Sequence, residues 1–563
     1  MLPGKEFGPW NPGIESQVPR ELRDLATIFR AENVFTSIAA AGELRGLTGF
    51  NLSELVVFRP QRLALHELLV RVTADFAVPD GTRIADLGLN FREIARLLLA
   101  RYLEPAMDDI TAAYARASQD ANAVIEPAVS GLNRNWGPPE IADFERLSVE
   151  AADAAAVAAY KSLARVTSAL FTTQGAAWGT KDLIASMAAG FAANDFGSDC
   201  IGQTIAPLLQ TAAREQGYKL LPRQEHPVVI NTKGPSASGK STLRPLQKKL
   251  AGEIGVQWSD FALISPDIWR KQLLDYASLG AAYKYAGAFT SDELQIVDQK
   301  LDRYMASKNR RGDMTHLLID RFRFDSFAPD SAEAGSNLLT RFGQTVYLFF
   351  VITPPGMLVE RAWKRGLEFG RYKAVDDTLA HSVEAYSGIP DVFFTWVRRT
   401  DKRIQFEFLD NTVSLGERPR TVAFGDNETL NILDVTSTLD IDRYARIDVD
   451  AAAAESLYPD PALLAAEKNL EFLRRCVKNF HWVNFAAQAS GQVYLRIERG
   501  QAVQKERATL EKAIQSPDTL AAIRAVAPDA LNGNVPDAPQ ATYLKAKDGP
   551  GLPPTLGQWG PLS

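Results

Sequence analysis

One short segment constrains the fold of this 563-residue chain more than any other. Residues 234–242 read GPSASGKST, which fits the pattern G-x-x-x-x-G-K-[ST] in full. The apolar run Val228–Ile230 precedes this motif, and a helical pattern begins at Thr242. A strand, a glycine-rich loop and a helix in this order indicate a phosphate-binding loop. The glycines let backbone N–H groups turn inward around an anion, and the helix N-terminus adds its positive dipole end.

The motif also predicts which residues hold ATP. Lys240 is expected to reach the β- and γ-phosphates, and the hydroxyl of Ser241 is expected to ligate Mg²⁺. A Gly/Ser-rich turn without a ligand is the alternative interpretation, and the flanking strand and helix argue against it. The predicted ATP-binding residues of the motif are Gly234, Pro235, Ser236, Ala237, Ser238, Gly239, Lys240, Ser241 and Thr242.

Apolar runs alternate with helical patterns after the motif, which is typical of an α/β domain. Short continuous apolar runs are expected of strands that are buried on both faces of a parallel sheet. The sequence therefore predicts an α/β P-loop core, with a mostly parallel sheet and helices on both faces. The further predicted strands are Phe261–Ile264, Leu317–Ile319, Val346–Ile352 and Ile404–Leu409.

The two flanks of this core differ from it in sequence pattern. The first 220 or so residues repeat apolar positions at helical spacing, and alanine-rich stretches favour helix because alanine loses no side-chain entropy. Helical patterns return after Asp450, in Pro461–Gln488 and Val493–Ile514, and the chain ends in a Pro/Gly-rich stretch that is expected to be loose. The predicted regions are an α-helical module (1–222), the P-loop domain (223–448), an α-helical region (449–533) and the tail (534–563).

A carboxylate follows the second predicted strand. Phe261–Ile264 leads into SPDIWR, so Asp267 lies beyond the carboxyl end of a strand, where open α/β sheets bind ligands. Phosphoryl transfer to a hydroxyl requires a group that accepts the hydroxyl proton. We therefore expect Asp267 to be the catalytic base and Arg270 to bind substrate. A helix N-cap for Ile268–Leu274 is the alternative role of Asp267, and the two roles are compatible.

A basic segment follows the predicted strand Val346–Ile352. It reads ERAWKRGLEFGRYK, and Arg361 and Arg365 are four residues apart, so they share one helix face. Arginines bind planar phosphate oxygens well, which is what a phosphate-covering lid requires. We expect Arg361 and Arg371 to be catalytic arginines and Arg365 to bind ATP.

Two glycines give this basic segment its predicted mobility. Gly366 and Gly370 are expected to break the helix and to let the segment close as a flap over the site. A solvated basic helix without a role in catalysis is the alternative interpretation.

Further acidic residues lie at or near the predicted strand ends. Asp320 closes the acidic strand LLID and has two open roles, because it could hold the metal through water or accept a substrate hydroxyl. Asp298 and Asp302 are weaker substrate-side candidates, for which a solvated surface position is expected. Asp410 and Asn411 follow the last predicted strand, near the expected position of the nucleotide base.

Composition excludes several classes of protein and partner. Lys and Arg number 62 against 68 Asp and Glu, a net charge of −6, so binding of duplex nucleic acid through bulk charge is not expected. The N-terminus has no positively charged start before an apolar stretch, and no apolar run is long enough to cross a membrane. We expect a cytoplasmic protein without a membrane segment, with secretion as an effector left open. Cys200 and Cys476 are expected to be buried thiols, and the five histidines show no metal-ligand spacing.

The order of these motifs resembles that of the zeta-toxin-like kinases, whose core is similar to that of phage polynucleotide kinase. The resemblance rests on GPSASGKST, SPDIWR, LLID and the arginine segment, and it covers about residues 225–440. It implies ATP and Mg²⁺ as cofactors. It also implies transfer of phosphate to a ribose or sugar hydroxyl, as on NAD in related effectors or on UDP-N-acetylglucosamine in the toxins.

The resemblance carries over to individual positions. It implies that Lys240 is the phosphate lysine, Asp267 the catalytic aspartate, and Arg361 and Arg371 the lid arginines. Asp320 falls where the toxins place a substrate-binding acid, which in them is usually Glu.

The predicted function is thus an ATP/Mg²⁺-dependent phosphotransferase acting on a hydroxyl of a nucleotide-type small molecule, with a toxin- or effector-like role. One alternative is a nucleotide-gated switch or scaffold whose helical flanks bind a protein partner. Another is a polynucleotide 5′-hydroxyl kinase. An antitoxin-like or chaperone protein, or restraint of the site by the flanking helices themselves, is the regulatory partner that such an activity implies.

Overall fold

The computed structural model describes residues 7–83, 85–321, 338–414, 416–544 and 553–561. The chain divides into two compact units. The helical unit comprises Val18–Leu220 and Asp267–Leu301. The sheet unit comprises Met1–Gln17, Leu221–Pro266 and Asp302–Ser563. The segment 267–301, predicted as part of the P-loop domain, therefore belongs to the helical unit.

The α-helices within the described residues are, in chain order, α1 (Ile38–Thr48), α2 (Pro60–Asp75), α3 (Asp86–Leu98), α4 (Met107–Ser130), α5 (Pro138–Glu150), α6 (Ala154–Gln174), α7 (Lys181–Ala192), α8 (Ser198–Gln216), α9 (Arg244–Glu253), α10 (Arg270–Leu273), α11 (Ala286–Phe289), α12 (Ser291–Arg310), α13 (Pro355–Phe369), α14 (Val375–Val397), α15 (Val435–Tyr444), α16 (Glu471–Asn479), α17 (Arg507–Ala513), α18 (Pro517–Val526) and α19 (Pro528–Leu531).

The helical character predicted for the first 220 residues is confirmed. The alanine-rich helix α6 shows why these segments form helices: the Asp153 side chain accepts a hydrogen bond from the Ala156 N–H at its start, and Gly175 ends it at a φ of 72°. Its apolar face, including Leu163 and Leu170, is fully buried in a core shared with α4 and α7. Burial of such faces, rather than helix propensity, supplies most of the stability.

The sheet unit contains a large mixed sheet. Its strands are β1 (Val228–Lys233), β2 (Phe261–Ile264), β3 (His316–Ile319), β4 (Thr345–Ile352), β5 (Arg403–Asp410), β6 (Arg420–Asp426), β7 (Thr429–Ile432), β8 (Trp482–Ala486), β9 (Gln492–Glu498), β10 (Gln501–Lys505) and β11 (Thr542–Tyr543). Their order is β10-β9-β8-β7-β6-β5-β4-β1-β3-β2, and β11 pairs with β9.

The five strands predicted from apolar runs form a continuous parallel part of this sheet, and β7 and β8 make a further parallel pair. β2, β3, β1, β4 and β5 pair in parallel in that order, which confirms the predicted α/β core. Their residues are almost all buried, as expected of strands covered on both faces. Because the strands are parallel, their carboxyl ends lie at one edge of the sheet, where α/β folds bind ligands.

The prediction that residues 449–533 are α-helical is wrong in part. β8, β9 and β10 lie in this region and extend the sheet, largely through antiparallel pairs. The strand β9 reads QVYLRIE, in which Val493, Leu495 and Ile497 occupy alternate positions and are buried, as is Tyr494 between the first two. Apolar residues at every second position are typical of a strand. In so short a segment the same residues also fit helical spacing, which is why the sequence predicts a helix here.

The C-terminal tail is likewise not loose where the structure describes it. β11 pairs with β9, and residues 553–561 pack on the sheet, with Leu556 buried. Glu407, buried in the middle of β5, accepts hydrogen bonds from the N–H groups of Leu556 (2.5 Å) and Gly557 (2.9 Å) and from the hydroxyl of Thr421 (2.6 Å). A buried carboxylate requires such donors, and the tail supplies two of them.

A cluster of phenylalanine rings forms the core beneath β4 and β5. Phe393 on α14 contacts Phe350, Phe406 and Phe408 at ring-centroid distances of 4.8–5.8 Å. This packing fixes α14 against the strands whose ends carry the predicted site.

None of the helices in the described part of the chain is long and apolar enough to span a bilayer.

Candidate functional site

The motif loop, Gly234–Gly239, leaves the end of β1 and leads into a short 3₁₀ turn, Lys240–Leu243, before α9 begins. Gly239 has a φ of 93°, and a β-carbon there would lie 2.3 Å from Nδ2 of Asn411. Ala237 also adopts a positive φ, of 65°. The loop thus follows a path that L-amino acids rarely adopt, which is expected of a turn that aims backbone N–H groups at a ligand.

The Lys240 side chain folds back over this loop. Its ammonium group donates hydrogen bonds to the backbone carbonyls of Gly234 (2.9 Å) and Pro235 (3.0 Å). The positive charge of Lys240 therefore lies beside the loop that is predicted to surround the phosphates. A cation in this position attracts a polyphosphate anion.

Ser241 and Asp320, predicted from separate motifs, are in direct contact. The Ser241 hydroxyl donates to the Asp320 carboxylate at 3.0 Å. The backbone N–H of Asp320 donates to the Ile264 carbonyl at 2.9 Å, so this residue is fixed at the shared ends of β2 and β3. A hydroxyl and a carboxylate are hard oxygen ligands, which is the chemistry that Mg²⁺ prefers, and Mg²⁺ retains several waters instead of requiring a full protein cage. The described residues contain no group of three or more His, Cys, Asp or Glu side chains that could hold a metal.

The ends of β4 and β5 support the motif loop from its other side. The carbonyl of Ser238 accepts hydrogen bonds from Nδ2 of Asn411 at 2.7 Å and from the hydroxyl of Thr353 at 3.4 Å. Asn411 was predicted to lie near the nucleotide base, and its side chain instead contacts the loop. Thr353 was not predicted. An uncharged residue that directly follows an apolar strand is the weak signal by which it could have been found.

Arg361 belongs to the same support. Its guanidinium donates to the carbonyls of Asn411 (2.8 Å) and Val413 (3.1 Å), and weakly to that of Ser238 (3.4 Å). Burial lowers the pKa of Arg361, and the nearby carboxylate of Asp410 opposes this shift. These contacts tie the residue to the backbone around the loop.

The predicted flap is not present as a broken helix. α13 continues through Gly366, which is buried and has the Tyr372 ring 2.6 Å from the position of a β-carbon. The helix ends only at Phe369, where Gly370 caps it with a φ of 69°. Gly366 is therefore required for close packing against Tyr372 and is not a hinge.

The other two predicted arginines lie on this part of the sheet unit. Arg365 is on α13, one turn after Arg361, and Arg371 follows the Gly370 cap, both partly buried. Their assignments to ATP and to catalysis stay predictions.

Asp267 and Arg270 lie in the helical unit and form an ion pair. Nε of Arg270 donates to Oδ1 of Asp267 at 2.8 Å. The Arg270 side chain is 18% exposed and the Asp267 side chain is 50% exposed. Asp267 lies inside the 3₁₀ turn Pro266–Trp269, and α10 has no side-chain N-cap, so the alternative N-cap role of Asp267 is wrong.

Three further oxygens orient the Arg270 side chain. Its Nη1 donates to the Gly287 carbonyl (2.6 Å) and to the hydroxyls of Thr290 (2.8 Å) and Ser291 (3.3 Å). Arg270, predicted to bind substrate, thus has four hydrogen-bond partners within its own unit, one of which is the predicted catalytic carboxylate.

Two acidic residues that were expected on the surface are buried. Asp302 is 3% exposed and accepts a hydrogen bond from Arg321 at 2.9 Å, and Asp298 is 7% exposed. Lys233, the last residue of β1, is fully buried and donates to the Arg321 carbonyl at 3.2 Å. Lys233 and Arg321 lie at or just after the ends of apolar strands, and a charged residue in such a position is the signal by which their burial could have been found.

Similarity to known proteins is low. No protein family and no curated protein matches this chain. Three chains of solved structures match, among them one from the PezAT chromosomal toxin-antitoxin system of Streptococcus pneumoniae. That match has 17% identity, covers 38% of this chain and 78% of the other, and has a TM-score of 0.25. A TM-score this low supports no conclusion about fold or activity.

Proposed function

We propose that this protein is an ATP- and Mg²⁺-dependent kinase that transfers the γ-phosphoryl group of ATP to a hydroxyl of a nucleotide-type small molecule. The observation that carries the proposal is the 3.0 Å contact between Ser241 and Asp320, beside a motif loop over which Lys240 is folded. A P-loop serine next to an acidic residue at a strand end is the arrangement that holds Mg²⁺ in P-loop phosphotransferases.

The sheet unit supplies the nucleotide side of the reaction. The backbone N–H groups of the motif loop and the Lys240 ammonium bind the β- and γ-phosphates, and Ser241 and Asp320 hold Mg²⁺. When bound, the metal neutralises charge that develops on the phosphate oxygens. Arg361 and Asn411 keep the loop in the shape that this binding requires.

The acceptor side depends on Asp267. The acceptor oxygen forms a bond to the γ-phosphorus, the bond from that phosphorus to the bridging oxygen breaks, and ADP leaves. Asp267 takes the proton of the acceptor hydroxyl. Because the transition state of phosphoryl transfer is loose, orientation of the acceptor matters more than the basicity of Asp267, so its ion pair with Arg270 is compatible with this role.

The acceptor can be identified by mass spectrometry. The full chain is incubated with ATP, Mg²⁺ and a panel of NAD, UDP-sugars, nucleosides and 5′-hydroxyl oligonucleotides, with Lys240→Ala as the inactive control. We expect one small molecule to gain one phosphate and ATP turnover to depend on it. Phosphate gain on oligonucleotides alone would favour the polynucleotide kinase. Partner binding that responds to ATP without turnover would favour the switch and overturn the proposal.

A further inference from the structure

The segment 267–301 carries the proposed base, and hydrogen bonds attach it to the remainder of the helical unit. Trp269, which directly follows Asp267 and Ile268, is fully buried. Its indole N–H donates to the hydroxyl of Thr73 on α2 at 3.1 Å. A buried indole N–H requires an acceptor, and Thr73 provides it. The Gln272 side chain makes a second link, to the carbonyl of Arg92 at 3.2 Å.

Arg62, also on α2, makes the third link. Its guanidinium donates to the Leu273 carbonyl at 2.7 Å and binds both carboxylate oxygens of Glu293 at 2.5 and 2.6 Å. One arginine therefore holds the end of α10 and the start of α12 together. A bidentate arginine–carboxylate pair fixes orientation as well as distance.

The Glu293 carboxylate is itself enclosed. It is fully buried and lies 2.6 Å from Nε2 of His66, a third residue of α2. Burial alone would raise the pKa of Glu293, but Arg62 and the His66 hydrogen bond outweigh it and hold the pKa at about 2. Glu293 is thus ionised near neutral pH, and its pairing with Arg62 persists there.

Burial of ionised side chains has an unfavourable desolvation free energy, and apolar contacts alone could hold a helix without it. What a buried, hydrogen-bonded network adds is a narrowly defined geometry. On α2 this network faces the segment that begins at Asp267. Arg270, whose guanidinium is bound to Gly287, Thr290 and Ser291 of the same segment, then fixes the Asp267 carboxylate.

We propose that α2, through Thr73 and Arg62, positions the segment that carries Asp267, the proposed catalytic base. This inference rests on the proposed function. It assigns Thr73, Arg62, Trp269 and Arg270 as positioning residues. It also gives α2 a role in the reaction, whereas the alternative function, a nucleotide-gated switch, has the helical flanks bind a protein partner.

The test compares two Thr→Val substitutions in the full chain. Thr73 donates to the Leu69 carbonyl within α2 (2.8 Å) and also accepts from Trp269. Thr167, buried in α6, makes the same bond within its helix, to Leu163 (2.7 Å), and is remote in sequence from the segment. Thr73→Val therefore removes the link to Trp269, whereas Thr167→Val is the matched control that removes only a bond within a helix.

Two measurements are made on each variant. In Thr73→Val we expect kcat for phosphotransfer to fall by about tenfold or more with KM for ATP unchanged, because small misplacements of a reacting group cost rate without weakening the other substrate. We expect amide hydrogen exchange to become faster across residues 267–274. Thr167→Val should show neither change. Equal behaviour of the two variants in both measurements would overturn the inference.

A second substitution covers the case in which Thr73→Val does not fold. Trp269→Phe removes the same hydrogen bond from the other side. On its own, Trp269→Phe should show the same fall in kcat and the same faster exchange across residues 267–274. Where both single variants fold, the double variant should have nearly the kcat of the slower one, whereas independent effects would multiply. If the wild-type chain phosphorylates no acceptor, the proposed function fails. Hydrogen exchange then still decides whether α2 holds the segment.

Discussion

The Lys240 side chain over the motif loop and the segment that carries Asp267 are held by contacts of different range along the chain. Lys240 bonds to carbonyls only five and six residues before it in the chain. Trp269, in contrast, bonds to a residue 196 positions away, and Arg62 reaches Leu273 across 211 positions. The Lys240 side chain is thus placed by neighbouring residues, although Asn411 and Arg361 support its loop from distant parts of the chain. The segment 267–301 is attached to its unit by contacts between distant parts of the chain.

This difference predicts which substitutions should affect ATP binding and which should affect phosphoryl transfer. Substitutions in the motif loop should alter nucleotide binding and leave the helical unit intact. Substitutions in the segment, or in the α2 residues that hold it, should alter transfer and leave ATP affinity unchanged.

The largest effect is expected for Lys240→Ala. Removal of the ammonium group takes away the cation beside the motif loop, so ATP affinity should fall at least about tenfold and transfer about a thousandfold. Calorimetric titration with ATP and an assay of kcat measure the two effects. Lys249→Ala on α9, whose side chain is 66% exposed, is the matched control and should change neither. Unaltered ATP affinity in Lys240→Ala would refute the assigned nucleotide site.

Asp267→Asn should lower kcat by about 10²- to 10⁴-fold, the range over which a positioned base contributes. ATP affinity should stay unchanged, since asparagine can still accept the hydrogen bond from Arg270. The matched control is Asp275→Asn in the same segment, where asparagine can still cap the following turn. If Asp267→Asn keeps full phosphotransfer, Asp267 is not the base.

Asp320→Asn separates the two roles that the sequence left open for this residue. If Asp320 holds the metal with Ser241, the Mg²⁺ concentration for half-maximal activity should rise about tenfold or more, while KM for the acceptor stays the same. The measurement is a series of Mg²⁺ titrations at fixed ATP. A rise in acceptor KM with an unchanged Mg²⁺ requirement would instead assign Asp320 to the substrate.

The smallest effect is expected for Ala237→Gly. Ala237 has a φ of 65°, a conformation that costs an L-residue about 1–2 kcal/mol, and glycine removes this cost. The loss of chain entropy on folding offsets part of the gain. The free energy of unfolding should therefore change by at most about 1 kcal/mol, in the stabilising direction, as measured by thermal denaturation. Ala158→Gly within α6 is the control and should destabilise the chain.

The sequence could predict features that depend on neighbouring residues, and it could not predict those that depend on distant ones. Four of the five parallel strands were predicted to within one residue at each end, because an apolar run bounded by turns is a local signal. β1 runs three residues beyond its predicted end, to Lys233. The strand β9 was read as helix, since a short apolar segment fits both periods until its partners are known. Arg361 was predicted to be a catalytic arginine, but nothing in the neighbouring sequence could indicate that its partners are the carbonyls of Asn411 and Val413.

The motif loop and the parallel strands that position it could be predicted from the sequence alone. Backbone geometry in a glycine-rich turn and the burial of an apolar run depend on residues close together in the chain. Only the tertiary structure decided that Asp267 and Arg270 belong to the helical unit, that Ser241 contacts Asp320, and that the tail supplies donors to Glu407. Each of these depends on which distant groups meet, and a buried polar group can be satisfied by any suitable donor or acceptor that the fold brings to it.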